Sequence, residues 1–149
     1  MRQELLELVN EATFANLGFI DGAGMPNIRR VFCTWHIGIK THLISTNTSS
    51  GHVQSLLKDD RACLYFEDSN KFRGLCLTGR VIVHFEPEYR ELLWHEEDVQ
   101  YYPNGVMDED YCVLEFIAEG ARYYYNMNSG NLTEEELSNE EYGTTMHGM

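Results

Sequence analysis

Two stretches of this chain gather side chains that could hold an anion. One is "STNTSSGH" (Ser45–His52), hydroxyl and amide side chains in a row, ended by a glycine and a histidine. Val53, Leu56 and Leu57 follow at i, i+3 and i+4, the apolar stripe of a helix. The polar run therefore leads into a helix N-terminus, where free amide hydrogens and the positive dipole end suit a phosphate. A hydroxyl of Ser49 or Ser50 would cap that helix. Capping accounts for one serine and leaves Thr46, Asn47, Thr48 and the other serine free for a ligand. The second stretch is the pair Arg29 and Arg30, flanked by apolar residues in "NIRRVF". Arginine inside a strand is costly unless it is exposed or meets an anion. Its guanidinium fork matches two phosphate oxygens at once. The plainer alternative has one arginine facing solvent and the other snorkelling.

The elements that must position these residues can be read from hydrophobic period and turn signals. Residues 2–12 carry the stripe Leu5, Leu6, Leu8 and Val9 of a helix. Strands are expected over 13–21, 27–36, 41–46, 61–68 and 72–86, and "DGAGMP" forms a hairpin connection between the first two. In the second strand, alternation puts Ile28, Arg30, Phe32 and Thr34 on one face and Arg29, Val31, Cys33 and Trp35 on the other. Gly79 in the middle of the longest strand suggests a bulge or sharp bend. Helices are expected over 50–58 and 86–98, the latter with Pro87 near its first position. Residues 112–119 and 121–126 read as a last hairpin. Thr133 with Glu136 makes a capping box for one short acidic helix, and "GTTMHGM" is expected to be disordered. Alternating strands with short links imply a mostly β, antiparallel sheet, closed into a small barrel with peripheral helices. Residues 1–126 form one barrel domain in this reading, with 127–149 an acidic, partly disordered tail.

Composition narrows the function. The chain has 149 residues and a net charge of −13, so nucleic acid is not an expected partner, because phosphate backbones are met by basic faces. No apolar run approaches the about 20 residues that span a bilayer, and the N-terminus lacks a signal-peptide core. No membrane contact and a cytoplasmic location are expected. Cys33, Cys63, Cys76 and Cys112 lie in apolar strand-like runs and lack zinc-ligand spacing, so they read as reduced buried thiols, with no metal site. His36, His42, His84 and His95 are scattered and read as structural. Asp108, Glu109 and Asp110 lack the spacing of a calcium loop and read as a solvated turn. No side chain is an obvious acid or base, so no catalytic residue is named.

The order of the pieces "NIRRVF", "ISTNTSSGH", "LLKDDRACLYFED" and "LTGRVIVHFE" resembles the FMN-binding split barrels. These are the proteins similar to pyridoxamine 5′-phosphate oxidase, and "YYPNGVMDEDYCVLEFIAEGARYYY" resembles their general stress protein branch. The resemblance runs over about residues 5–126 and implies a six-stranded antiparallel Greek-key split barrel. It also implies a homodimer with FMN at the interface. Carried onto this chain, Arg29 would contact the FMN phosphate. The backbone of Arg30, Val31 and Phe32 would run along the flavin. Ser45, Thr46, Asn47 and Ser50 would lie near the phosphate and ribityl chain. His52 stands where the family has a phosphate-binding lysine. With an ordinary pKa of about 6.5, it would make FMN affinity sensitive to pH. Trp94 or the 101–111 loop of a second subunit would cover the ring. Oxidases of the family resemble one another in a C-terminal segment rich in arginine, histidine and aspartate that binds the pyridoxine substrate. Here an acidic segment follows the last strand, so oxidation of a vitamin B6 phosphate is not expected. The reading is a flavin-dependent oxidoreductase acting on a small molecule with a separate electron donor. The alternative is a non-catalytic flavin or haem binding, sensor or storage protein.

Overall fold

Leu64 and Phe66 of β5 (Arg61–Asp68) are buried, while Cys63 and Tyr65, which alternate with them, are partly covered. That two-residue period repeats in β6 (Arg73–His84), which buries Leu75, Leu77 and Val81, and in β7 (Tyr111–Tyr125), which buries Leu114, Phe116 and Ala118. Each such side chain contributes about 1.5–3 kcal/mol by leaving water, so the strands are held to one register by their inner faces. The chain is seen here in a computed structural model, which describes residues 2–138 and the backbone of 146–147.

The other elements are α1 (Arg2–Glu11), β1 (Phe14–Ile20), β2 (Pro26–Phe32), β3 (Trp35–Ile37), β4 (Thr41–Asn47), α2 (Gly51–Lys58), α3 (Pro87–Leu93), β8 (Asn128–Thr133), α4 (Glu134–Leu137) and β9 (Met146–His147). All pairings are antiparallel, in the order β2-β1-β5-β6-β7-β4-β3-β9, with β8 on β7. The fold is the expected mostly β split barrel. β2 ends the hydrogen-bonded path on one side, and β4 faces it across a gap without a ladder between them. α1 packs Leu5, Leu6, Leu8 and Val9 into the barrel core. No helix among the described residues is long and apolar enough to cross a membrane.

Several expectations are corrected. Among the described residues the strand count is nine rather than six. The strand expected over 27–36 breaks after Phe32, and Trp35 begins a new strand on the far side of the gap. The last hairpin is one 15-residue strand, β7, which runs straight through Glu119 and Gly120. The "EG" pair resembled a turn, but it sits at a bulge opposite Gly79, where the β6–β7 register shifts. A Cβ on Gly79 would overlap the Ile117 carbonyl oxygen, so the glycine foreseen as a bulge is required by close backbone approach. The helix expected over 86–98 stops at Leu93 and resumes as a 3₁₀ turn over Glu96–Gln100. β8 extends the sheet beyond residue 126, where the sequence reading ended the barrel. The Thr133–Glu136 capping box forms as expected and starts α4. Of the segment 143–149, read as disordered, Met146–His147 pairs with β3, and the remainder lies outside the described residues.

Two buried polar side chains in the barrel carry specific partners. Arg73 is buried and its guanidinium meets Glu11 at 3.0 Å and Asp68 at 3.2 Å. His42 is buried between the rings of Phe66 and Phe116, and its Nε2 donates to the Ile39 carbonyl at 2.7 Å. Cys33 Sγ lies 4.0 Å from the other ring nitrogen. Burial pushes the Cys33 thiol up to about 12 and the His42 ring down to about 3, so both stay neutral. The unfolded chain titrates its histidines near pH 6.5. Between that pH and about 3 it therefore binds a proton that native His42 refuses. Stability conferred by this group is complete above pH 6.5 and falls as pH drops, by about 1.4 kcal/mol per unit for one proton. Thermal melts of the wild type and His42→Gln between pH 6.5 and 4 check this. The slope is expected to be shallower in the variant, and equal slopes would show His42 already charged in the native state.

Candidate ligand-binding cleft at the barrel seam

The gap between β2 and β4 opens into a cleft of about 670 Å³, within the range of about 300–1,000 Å³ typical of small-molecule sites. Seven residues singled out in the sequence line it: Arg29, Arg30, Val31 and Phe32 from β2, and Ser45, Thr46 and Asn47 from β4. They come together because the two strands, 13 or more positions apart in sequence, form the two lips of the seam. Trp35, Leu43, Leu93, His95, Tyr101 and Tyr102 also line it.

His52 does not line the cleft. It lies behind the lips, 3% exposed, in the first turn of α2. Arg29 Nη1 is 3.0 Å from its Nδ1, and Thr46 Oγ1 is 3.0 Å from its Nε2. A guanidinium can only donate, so Nδ1 accepts from Arg29. Nε2 then carries the hydrogen and donates to Thr46. Burial first, and then the Arg29 charge, push the ring down to about 4. The charged, pH-sensitive histidine expected from the sequence is thus a neutral ring at physiological pH. Arg30 takes the other face of β2, with its guanidinium carbon 4.1 Å above the Phe14 ring.

The polar run is held from a distance. Ser50 is the N-cap residue of α2, but its hydroxyl donates to the Asn47 carbonyl at 2.6 Å rather than accepting first-turn amides. The Asp110 carboxylate accepts from the Ser49 amide at 2.8 Å and from the Asn47 side chain at 3.0 Å, and its backbone carbonyl accepts from the Thr48 amide. These bonds hold the Asp110 carboxyl below its ordinary range. Part of the run expected to cradle an external phosphate is therefore filled by an internal carboxylate. The acidic cluster read as a solvated turn is instead the anchor of the loop. Asp108 is buried and accepts the amides of Asn104 and Asp110. No local pattern linked Asp110 to Asn47, 63 residues away.

The wall opposite β2 and β4 comes from α3 and the loop after it. Arg90 on α3 is buried and donates to the carbonyls of Phe85, Val106 and Asp108, at 2.7, 3.2 and 2.7 Å. The Tyr111 hydroxyl donates back to the Arg90 carbonyl at 3.1 Å. Trp94 stands edge-on to Tyr111, centroids 5.3 Å apart, and Tyr102 packs at a tilt against the same ring, centroids 4.8 Å apart. This packing sets Tyr101 and Tyr102 of the same chain at the cleft. Trp35 is 4% exposed, and its indole nitrogen has no acceptor among the described residues. Arg90 and Trp35 were missed in the sequence. One reads as an ordinary helix-surface arginine, the other as a strand core residue.

The profile of the pyridoxamine 5′-phosphate oxidase family matches residues 1–140. A solved structure from Clostridium acetobutylicum is 36% identical and covers 91% of this chain and 96% of its own, with a TM-score of 0.81. That protein is described as related to general stress protein 26 of B. subtilis, in the pyridoxinephosphate oxidase family. General stress protein 26 from Bacillus anthracis shares the fold at 8% identity, over 87% of this chain and 98% of that one, with a TM-score of 0.68. A heme binding protein from Mycobacterium smegmatis does so at 15% identity, over 91% of this chain and 59% of that one, with a TM-score of 0.70. Comparison with curated proteins returned no match.

Arg90→Lys should loosen the cleft wall, since an ammonium on a flexible stem cannot replace a fork serving three carbonyls. Loss of these charge-assisted bonds is expected to cost about 3 kcal/mol. A lower melting temperature and faster proteolysis within residues 95–110 would register it. Unchanged cleavage in that loop would mean that the aromatic packing holds it without Arg90.

Proposed function

The chain belongs to the pyridoxamine 5′-phosphate oxidase family, and from that premise we propose that the seam cleft binds FMN and serves a flavin-dependent oxidoreductase. The observation that carries this reading is the Arg29 guanidinium, tied in place by His52 beside the Thr46 hydroxyl, on the lip of a cleft large enough for a cofactor. An orphaned indole N–H at Trp35 and an aromatic far wall suit a flat heteroaromatic ring better than a small anion alone.

When bound, FMN supplies hydride or electron transfer between a reduced donor and a small oxidised acceptor. Arg29 holds the phosphate by charge-assisted hydrogen bonds. Thr46 and Ser45 give hydroxyl hydrogens to the phosphate and ribityl oxygens, and Asn47 and Ser50 shape the loop beneath them. The backbone of Arg30, Val31 and Phe32 runs along the ring edge. Tyr101 and Tyr102 exclude water from the opposite side. The substrate in this reading is a small molecule.

The protein acts as a cytoplasmic homodimer in this reading. Ile28, Phe32 and Phe14 are 74%, 55% and 46% exposed on the outer face beside the cleft. An unpaired edge strand with such a face is a natural place for a second copy to sit, covering the flavin from outside.

Freshly purified protein is expected to be yellow and to release FMN on denaturation, identified by mass spectrometry. Arg29→Gln should weaken FMN binding at least about tenfold, equal to about 1.4 kcal/mol, in a fluorescence-quenching titration. A nicotinamide donor should bleach the flavin, with recovery on adding an acceptor. A flavin that stays oxidised in every donor tried would favour a carrier or sensor, and a Soret band would favour haem. Light scattering should report twice 17.3 kDa for the wild type and a monomer for Ile28→Asp. A monomeric wild type would remove the dimer from this proposal.

A further inference from the structure

The phosphate-binding lysine implied by family resemblance is here a histidine with both ring nitrogens already used inside the protein. Nδ1 accepts from Arg29 and Nε2 donates to Thr46, each at 3.0 Å. The ring is 3% exposed. Facing it are Arg29 of β2, Thr46 of β4 and Phe19 of β1, whose ring centroid is 6.3 Å away. Of these, Arg29 is the charged one. A ligand phosphate in the cleft would meet Arg29 and Thr46 before it could reach His52.

The geometry has two consequences. A protonated Nδ1 would point a hydrogen at a guanidinium that can only donate, so the arrangement excludes the imidazolium. Thr46 Oγ1, having accepted from His52, keeps its own hydrogen to give, and Arg29 keeps its remaining N–H groups for the cleft. Arg30 adds little on this side, because its guanidinium lies over Phe14 on the outer face of β2. Glu97 and Asp98 line the same cleft with the opposite sign.

Resting on the reading that the cleft takes a phosphorylated ring, we infer that His52 is a neutral positioning residue. It does not touch the ligand. By bridging Arg29 to Thr46 across the seam, it fixes one guanidinium and one hydroxyl donor for the terminal phosphate monoester. Its contribution is confined to the phosphate end of the ligand and does not vary with pH near neutrality.

The test has an arm that needs no ligand. In the full-length protein labelled with ¹⁵N-histidine, His52 is expected as the Nε2–H tautomer with resonances that do not move between pH 5.5 and 8.5. In Arg29→Gln the ring should titrate at a higher pH than in the wild type. An Nδ1–H tautomer or a charged ring in the wild type would overturn the inference. The second arm compares FMN with riboflavin, which lacks the phosphate, on the wild type, His52→Gln and His52→Leu. Glutamine carries one acceptor and one donor and can serve both partners, whereas leucine serves neither. His52→Leu should lose about tenfold or more on FMN with riboflavin unchanged, and His52→Gln should bind both like the wild type. Equal losses on both flavins in His52→Leu would show a general packing role. A His52→Gln protein with a wild-type melting curve that loses FMN as His52→Leu does would show direct contact instead. If the wild type bound neither flavin, the FMN reading would fall. The positioning role would then stand or fall on the tautomer and on the Arg29→Gln titration.

Discussion

The barrel is not closed by its backbone. β2 and β4 face each other without a hydrogen-bond ladder, so whatever holds the seam must come from side chains. One imidazole joins three elements there: Arg29 of β2, Thr46 of β4 and His52 of α2. Each bond contributes about 1 kcal/mol net, but its geometric effect is larger. It turns a guanidinium that would otherwise sample water into one aimed from a fixed point. The seam remains open as a cleft while its polar side chains are held in place.

The far wall is held by a different device. Arg90 carries its charge into the interior without a carboxylate and satisfies it with three carbonyls. Those carbonyls belong to Phe85, just past β6, and to Val106 and Asp108 in the loop before β7, so the arginine acts as a clasp on a segment with little regular structure. Asp110 does the same with opposite sign, gathering the donors of the Asn47–Ser49 loop. Arg90 is buried, so removing its partners would leave a desolvated charge unpaired, which is costlier than the bond is worth.

The related structures share this barrel, and one of them is a heme binding protein. A fold alone therefore does not choose the ligand. The choice lies in which side chains the seam presents. In this chain it presents one guanidinium, hydroxyls and tyrosines, over a surface whose net charge is −13. A cation at the seam of so acidic a protein is a local exception to the general field.

Much of the fold was legible because its signals are local. Two-residue alternation marked the strands, Pro87 marked the start of α3, Thr133 with Glu136 marked α4, and Gly79 marked the bulge. Seven of the nine residues named from the sequence line one cleft, because they lie on two strands whose edges face each other. The "EG" of β7 misled because a bulge and a turn use the same residues, and only the pairing strand tells them apart. By itself, then, the sequence determined the antiparallel β class, the inward faces and the residue types that line the cleft. Tertiary structure decided what those residues do. It closed the Arg29–His52–Thr46 chain, gave Asp110 to the loop and buried His52 behind the cleft. Protonation state and hydrogen-bond direction depend on neighbours and dielectric, and a linear sequence does not specify which distant group will be within 3.0 Å.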